Sequence, residues 1–331
     1  MDIQVGLAGA TGALGREIVT VLDKAPWRPD TLMPLASAGS LTPFVDYGEE
    51  SLAVDDLQHQ VWAELDLVLF AVPAAIALGA ARDARAAGAR VVDASGALAA
   101  DPDVPLLVPW INPEAVSHAV AVGAAALPSP GALLLGSVLG PLQRAGIVTG
   151  VDATLLLPAS EAGRAGMEEL SAQVVALFNS STPPRKVFRD GLAFDLSPIV
   201  GDVGEGGQTS LERLVRDQTQ RLVGLRPYVT AVRVPVFSGM SASIVVRTDR
   251  HIPAELVAQI LTDGGVTVVN EPKNRALPRP RSVEQHPFVK AGRVRVDEDG
   301  RVHIWAAMDN LRASAAAVVA CGGALAKGIQ R

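Results

Sequence analysis

Gly9, Gly12 and Gly15 stand at spacings of three between an apolar run, Ile3-Gln4-Val5-Gly6-Leu7-Ala8, and a helically spaced one, Glu17-Ile18-Val19-Thr20-Val21-Leu22. Glycine at such points lets the chain bend sharply, lets backbone approach a ligand with no Cβ in the way, and lets a helix pack closely on its strand. The helix N-terminus then aims its N–H groups and the positive end of its dipole at whatever sits there, and a pyrophosphate is the natural guest. The spacing in isolation describes a structural turn equally well. The strand before it and the helix after it shift the reading to dinucleotide binding. Other residues able to do chemistry are sparse. The single cysteine, Cys321, excludes an intramolecular disulfide and a cysteine-cluster metal site, and in an Ala-rich helix it reads as a small buried hydrophobe. His59, His118, His251, His286 and His303 have no helical or hairpin spacing between any two, so no metal site is expected. Ser129 lies between two prolines with no base in view, a poor nucleophile. Glu161 and Glu169 read as helix-start and solvent-face acids.

The elements that carry the glycine turn alternate between strand and helix. Thr31 to Ser37 is a strand weakened by Pro34, and Ala38-Gly39-Ser40 turns the chain where an adenosine ribose would lie. No Asp or Glu stands at that strand end to grip ribose hydroxyls, and no Arg to grip a 2′-phosphate, so NAD and NADP are not distinguished. Leu65 to Val72 is a buried strand, Pro73 opens an Ala-rich helix that runs to about Ala87, and Arg90 to Ser95 and Ala119 to Leu127 supply further strands. Repeated βαβ units of this kind make a parallel, doubly wound sheet. A domain boundary is expected near Ala126. From Val151 the strict alternation ends. Strands are expected at Val151 to Leu157 and at Tyr228 to Phe237, the latter pairing with Ser241 to Thr248 through a Ser238-Gly239 turn. Helices fit Glu161 to Phe178, Thr209 to Val223 and Pro253 to Leu261; Arg293 to Val296 and Val302 to Ala307 make a hairpin, and Leu311 to Ile329 is the last helix. Asn274 to His286 reads as a basic, solvated loop. The second region has more apolar strand than its helices can cover on both faces, which predicts a homodimer built through it.

The chain of 331 residues has material for two domains. Hydrophobic residues make up 49%, but Gly, Pro and charges interrupt them and no run is long enough to cross a bilayer. The N-terminus enters a strand directly, without a basic n-region or cleavage site, so a cytoplasmic protein is expected. A net charge of −6 gives no electrostatic reason to bind nucleic acid.

These residues resemble the aspartate-semialdehyde dehydrogenase family over nearly the full length. The matching segments are Gly9-Ala10-Thr11-Gly12-Ala13-Leu14-Gly15, Val91-Val92-Asp93-Ala94-Ser95, the run Asp101 to Pro109, Gly163 to Leu170, Arg233-Val234-Pro235-Val236 and Asp309-Asn310-Leu311-Arg312, in order and at family-like spacings. The resemblance implies an N-terminal Rossmann domain, residues 1–126 completed by 310–331, that holds NADP or NAD with weak to moderate affinity. It also implies an α+β dimerisation domain with a mixed sheet over 127–309. The fold class is thus α/β. The residues expected at the cofactor are Gly9, Thr11, Gly12, Ala13, Leu14, Ser37 and Asn310.

The family reaction needs a thiolate to attack the aldehyde, hydride transfer to the nicotinamide, and phosphate attack on the thioester. The segment matching the nucleophile loop is Leu127-Pro128-Ser129-Pro130-Gly131, with Pro130 at the sulfur's place, and the segment matching the general base ends in Met240. Leu157 stands for a glutamine, Leu214 for a lysine, and the uncharged Gly96-Ala97-Leu98-Ala99 for a phosphate-binding arginine. Arg233, a carboxylate ligand in active relatives, is retained, though a structural ion pair explains an arginine there equally well. The pattern is similar to the usg-type homologues, as is Ser95-Gly96-Ala97-Leu98. No catalytic residue is therefore expected, and the predicted protein is a dinucleotide-binding dimer, of itself or mixed with an active relative, without the family activity. The alternatives are an oxidoreductase of altered chemistry on a related aldehyde or hydroxy acid, and a structural interaction protein.

Overall fold

β1 (Gln4–Ala8) is buried from Val5 onward, as a strand covered on both faces must be. It runs into the glycine turn and α1 (Ala13–Leu22), whose Ile18, Val19 and Leu22 form the buried stripe. The computed structural model describes residues 3–37, 39–40, 42–59, 61–270 and 277–329. There follow β2 (Thr31–Ala36), the antiparallel pair β3 (Phe44–Tyr47) and β4 (Glu50–Ala53), β5 (Asp55–Asp56), β6 (Leu67–Phe70), α2 (Ala74–Ala86), β7 (Arg90–Asp93), α3 (Val116–Val122) and β8 (Ala124–Ala126). The main sheet has the order β5-β2-β1-β6-β7-β8, every pair parallel. This is the doubly wound order, reversing between β1 and β6, and the glycine turn leaves β1 at that reversal, where such sheets bind ligands.

The later elements are α4 (Pro130–Arg144), β9 (Val148–Leu157), α5 (Gly163–Phe178), α6 (Ser210–Val223), β10 (Tyr228–Arg233), β11 (Met240–Thr248), α7 (Ala254–Asp263), β12 (Thr267–Val269), β13 (Lys290–Val296), β14 (Val302–Met308) and α8 (Asn310–Ala326). Their mixed sheet has the order β10-β9-β11-β14-β13-β12, with β10–β9 and β12–β13 parallel and the rest antiparallel. The chain divides into two compact units, Met1–Ser129 with Ser314–Arg331, and Pro130–Ala313. Within the first unit, Gly322 and Gly323 let α8 lie against Trp27: a Cβ on either would stand 2.9 and 2.6 Å from its ring. The Trp27 indole N–H donates to the Val319 carbonyl at 3.0 Å.

Two expectations about elements are corrected. Ala119 to Leu127 is not one strand. Its first residues finish α3, Gly123 at φ +69 caps that helix, and only Ala124–Ala126 pair in the sheet. Nor do Tyr228–Phe237 and Ser241–Thr248 form a hairpin, because β9 lies between β10 and β11. Val234 N–H is spent on the Leu157 carbonyl and Pro235 has none to give, so the chain tightens there, with Val236 N–H on the Val234 carbonyl, and leaves the sheet. β3, β4, β5 and β12 were not anticipated, and Asn274 to Ala276 of the expected basic loop lie outside the described residues.

Candidate functional site

The turn after β1 is drawn tight by its own backbone. The N–H groups of Gly9 and Ala10 donate to the Leu35 carbonyl at 2.8 and 3.2 Å, and Gly12 N–H donates to the Gly9 carbonyl at 3.0 Å. Gly9 has φ +89, and a Cβ on it would stand 2.4 Å from the Ala71 carbonyl oxygen; a Cβ on Gly15 would stand 2.0 Å from that of Gly9. Packing therefore dictates both residues. Gly12 is the cap of α1, which has no side-chain cap and no acid in its first turn. The N–H groups of Ala13 and Leu14 have no acceptor within the helix, and they open beside the strand-order reversal. Residues present at this turn fit a pyrophosphate.

No arginine stands at the end of β2 itself, but one approaches from α1. Arg16, exposed on α1, donates from Nε to the Thr11 carbonyl at 3.1 Å and from Nη2 to Thr42 Oγ1 at 3.2 Å. Ser40 donates its hydroxyl to Thr11 Oγ1 at 3.2 Å. Ser37 is exposed, its carbonyl accepting from Ser40 N–H at 2.9 Å. One guanidinium and the hydroxyls of Thr11, Ser40 and Thr42 thus cluster beside the glycine turn. Asp93, fully buried at the end of β7, accepts from the Ser95 N–H and hydroxyl at 2.8 and 2.5 Å and from Leu98 N–H at 2.8 Å, bracing the loop that follows.

Several of the other singled-out residues fall in the second unit. Pro130 is the first residue of α4, and Met240, fully buried, begins β11. Leu157 is fully buried and Leu214 is 44% exposed. Asn310 is buried, and its side-chain oxygen accepts from the Ser160 hydroxyl at 3.1 Å and from Gly239 N–H at 3.2 Å, holding the turn that precedes Met240. Arg233, ending β10, donates from Nη1 to the Pro158 carbonyl and from Nη2 to Glu161 Oε2, both at 3.1 Å, with its guanidinium 5.6 Å from the centre of the Phe188 ring.

Glu161 does stand in the first turn of a short 3-10 helix, Ala159–Ala162, but Glu169 is not the solvent-face acid expected. Glu161 shares a partly buried ion pair with Arg233, each side chain 13% exposed; burial pushes its carboxyl up against the opposing pull of Arg233. Glu169, 7% exposed, accepts 2.8 Å bonds from the N–H groups of Lys186, Val187 and Phe188. Burial raises its carboxyl, but those donors and the Gln173 amide outweigh it and hold the group below its usual range. Gln173 Oε1 takes Leu192 and Ala193 N–H at 2.8 and 3.0 Å, so the 184–193 stretch is fastened over α5.

Cys321 is fully buried, its Sγ donating to the Leu107 carbonyl at 3.3 Å, and burial raises its thiol far above the thiolate-forming range. Among the described residues no group of three or more His, Cys, Asp or Glu is placed to hold a metal, and no helix is long and apolar enough to cross a membrane. The His59 side chain lies outside the described residues. Sequence reading missed Arg16 and gave Glu161 and Glu169 no partners. Arg16 alone carried a signal, since a helix places it one turn past Gly12 on the glycine-turn end.

Residues 4–119 match the family model for the semialdehyde dehydrogenase NAD binding domain, and residues 139–313 match that for the semialdehyde dehydrogenase dimerisation domain. The aspartate-semialdehyde dehydrogenase of Rickettsia bellii is 30% identical, the match covering 94% of each chain. A USG-1 protein homolog of Azotobacter vinelandii is 31% identical over 95% of this chain and 94% of its own length. The crystal structure of aspartate semialdehyde dehydrogenase II from Vibrio cholerae, in complex with ASA, superposes with a TM-score of 0.93 at 27% identity, covering 99% of both chains. With an NAD-binding unit and a dimerisation unit both matched in order, the chain belongs to the semialdehyde dehydrogenase family.

Proposed function

We propose that this chain is a self-associating, NADP-binding member of the family that does not carry out the phosphorylating oxidation of aspartate semialdehyde. The observation that carries the reading is the thiol inventory: the sequence has one cysteine, and it is sealed in the core. A thiolate-dependent acyl transfer has no nucleophile to use, and Pro130 and Met240, at the places the resemblance assigns to nucleophile and base, can neither attack nor move a proton. The first unit keeps what binding requires. The turn Gly9 to Leu14 would hold the pyrophosphate, and a bound NADP would supply hydride chemistry. Arg16 with Ser40 and Thr42 favours a 2′-phosphate over a ribose hydroxyl, where the strand end by itself favoured neither cofactor. A mixed dimer with an active relative would use the same dimerisation unit.

Calorimetric titration tests the binding half. NADPH binds more tightly than NADH, Arg16→Ala costs NADPH roughly 10-fold to 100-fold, the worth of a charge-assisted hydrogen bond, and leaves NADH almost unchanged. Gly12→Asp abolishes both signals by placing a carboxylate where phosphate belongs. Flat wild-type traces at millimolar ligand refute the binding reading.

Cofactor absorbance at saturating semialdehyde and phosphate tests the catalytic half. Wild type and Pro130→Cys give no steady turnover, and Pro130→Cys with Met240→His gives at most a substoichiometric burst. Catalytic groups that act as a unit lose most of their effect, about a millionfold in a well-studied case, with the first deletion. Steady wild-type turnover within about a thousandfold of an active relative overturns this half. Turnover with another aldehyde or with a hydroxy acid instead would establish the oxidoreductase of altered chemistry.

A further inference from the structure

In the second unit, Arg233 lines a cavity of about 430 Å³ together with Phe188, Arg189, Asp190, Ile199 and Val200. A guanidinium in a cavity wall is ordinarily an anion receptor, with donors in a fork that matches a carboxylate. Here the fork is engaged from within. Glu161, 72 residues earlier, places Oε2 3.1 Å from Nη2, the Pro158 carbonyl takes Nη1 at 3.1 Å, and the guanidinium carbon lies 5.6 Å from the centre of the Phe188 ring. Both charged side chains are 13% exposed, so the pair is largely withdrawn from water, and of the two Arg233 lines the cavity.

An external carboxylate can take only the donors that Glu161 and Pro158 leave, and it would then sit beside the Glu161 carboxylate or displace it. That would leave a second buried negative charge beside the first with no cation of its own, which is costly. Glu161 also competes as part of the same chain, at an effective concentration a free ligand does not approach. The remaining charged groups lining the cavity, Arg189, Asp190 and Asp202, sum to one negative charge and add no attraction for an anion.

We propose that Glu161 is the specificity-determining residue of this cavity, a built-in occupant of Arg233 that shuts the cavity to small carboxylates. The inference concerns 130–313 alone and stands whether or not a dinucleotide binds to the other unit. It gives Arg233 a definite state: retained, but held by its own chain.

The test is titration of the full chain with succinate at pH 8, without dinucleotide, followed by calorimetry and ligand-observed NMR. Wild type shows no saturable binding at millimolar succinate. Glu161→Gln and Glu161→Ala gain binding at least about 10-fold tighter than any wild-type signal, and Glu161→Ala with Arg233→Met loses it again. The glutamine variant keeps the side-chain volume should the alanine variant fold poorly, and cooperative thermal unfolding identifies the folded ones. Saturable wild-type binding as tight as that of the variants overturns the proposal. So does a folded Glu161→Gln that gains nothing, or a gain that survives the loss of Arg233.

Discussion

Glu161 and Glu169 lie eight positions apart by number, yet their carboxyls shift in opposite directions. Glu161 meets one guanidinium in a withdrawn pocket and burial wins; Glu169 meets three backbone N–H groups and an amide, and the donors win. The sign of each pH dependence follows from proton counting. A carboxyl held low in the folded state contributes stability that is present above its unfolded pKa of about 4.3 and is lost as pH falls through the folded value. A carboxyl held high does the reverse, its favourable part fading as pH rises from that same unfolded value through the folded one. Glu169→Gln is therefore expected to cost about 1–3 kcal/mol at pH 7, the worth of weakened bonds to buried N–H groups. The gap from wild type should close as pH falls below about 4.3. Urea unfolding across that range checks it, and a gap independent of pH would place the stabilisation elsewhere.

Elements were legible where local chemistry announces them. Thr209 accepts from Glu212 N–H at 3.3 Å and Glu212 Oε2 accepts from Thr209 N–H at 2.8 Å, a reciprocal cap that starts α6 where the sequence reading placed it. The same glutamate does what its helix could not reveal, its Oε1 taking Ala231 N–H of β10 at 3.0 Å. Thr209→Ala is expected to cost about 1 kcal/mol, as N-cap losses do, measurable as a shift in the denaturation midpoint at unchanged slope. Where chemistry is uniform the reading failed. Ala119 to Ala126 offers almost nothing but small apolar side chains, without a period to separate helix from strand, and the division falls at Gly123 because that residue adopts φ +69. The strand partners of β11 were equally hidden, because Ser238-Gly239 looks like a hairpin turn whichever strand lies alongside.

At the scale of the molecule, the mixed sheet buries Leu155, Ala231 and Ile244 on one face, while Thr154, Thr230 and Ser243 on the other are less buried and line, with Tyr228, a shallow hollow of about 310 Å³. Tyr228 is 68% exposed. Residues 139–313 match a dimerisation domain, and the exposed Tyr228 ring at this hollow is where a second copy is expected to sit. Light scattering after size exclusion is expected to give twice the chain mass at micromolar concentration, and Tyr228→Glu to lower it by placing a charge on that face. A wild-type monomer would count against both the dimer and a mixed assembly.

The sequence by itself determined the parallel sheet, the glycine turn at its start, the second region of mixed strands and the single thiol outside the nucleophile loop. Each of these is written in contiguous residues: apolar runs, glycine spacing, caps, or a count of one cysteine. Tertiary structure decided which side chains meet. Arg16 reaches Thr42 across 26 residues and Arg233 reaches Glu161 across 72. No local period records such encounters, because they depend on how strands are ordered in a sheet and on where a loop is pinned. The difference between an arginine open to a ligand and one already occupied is of that kind, since Arg233 sits on the same strand in either case and only the fold brings Glu161 to it.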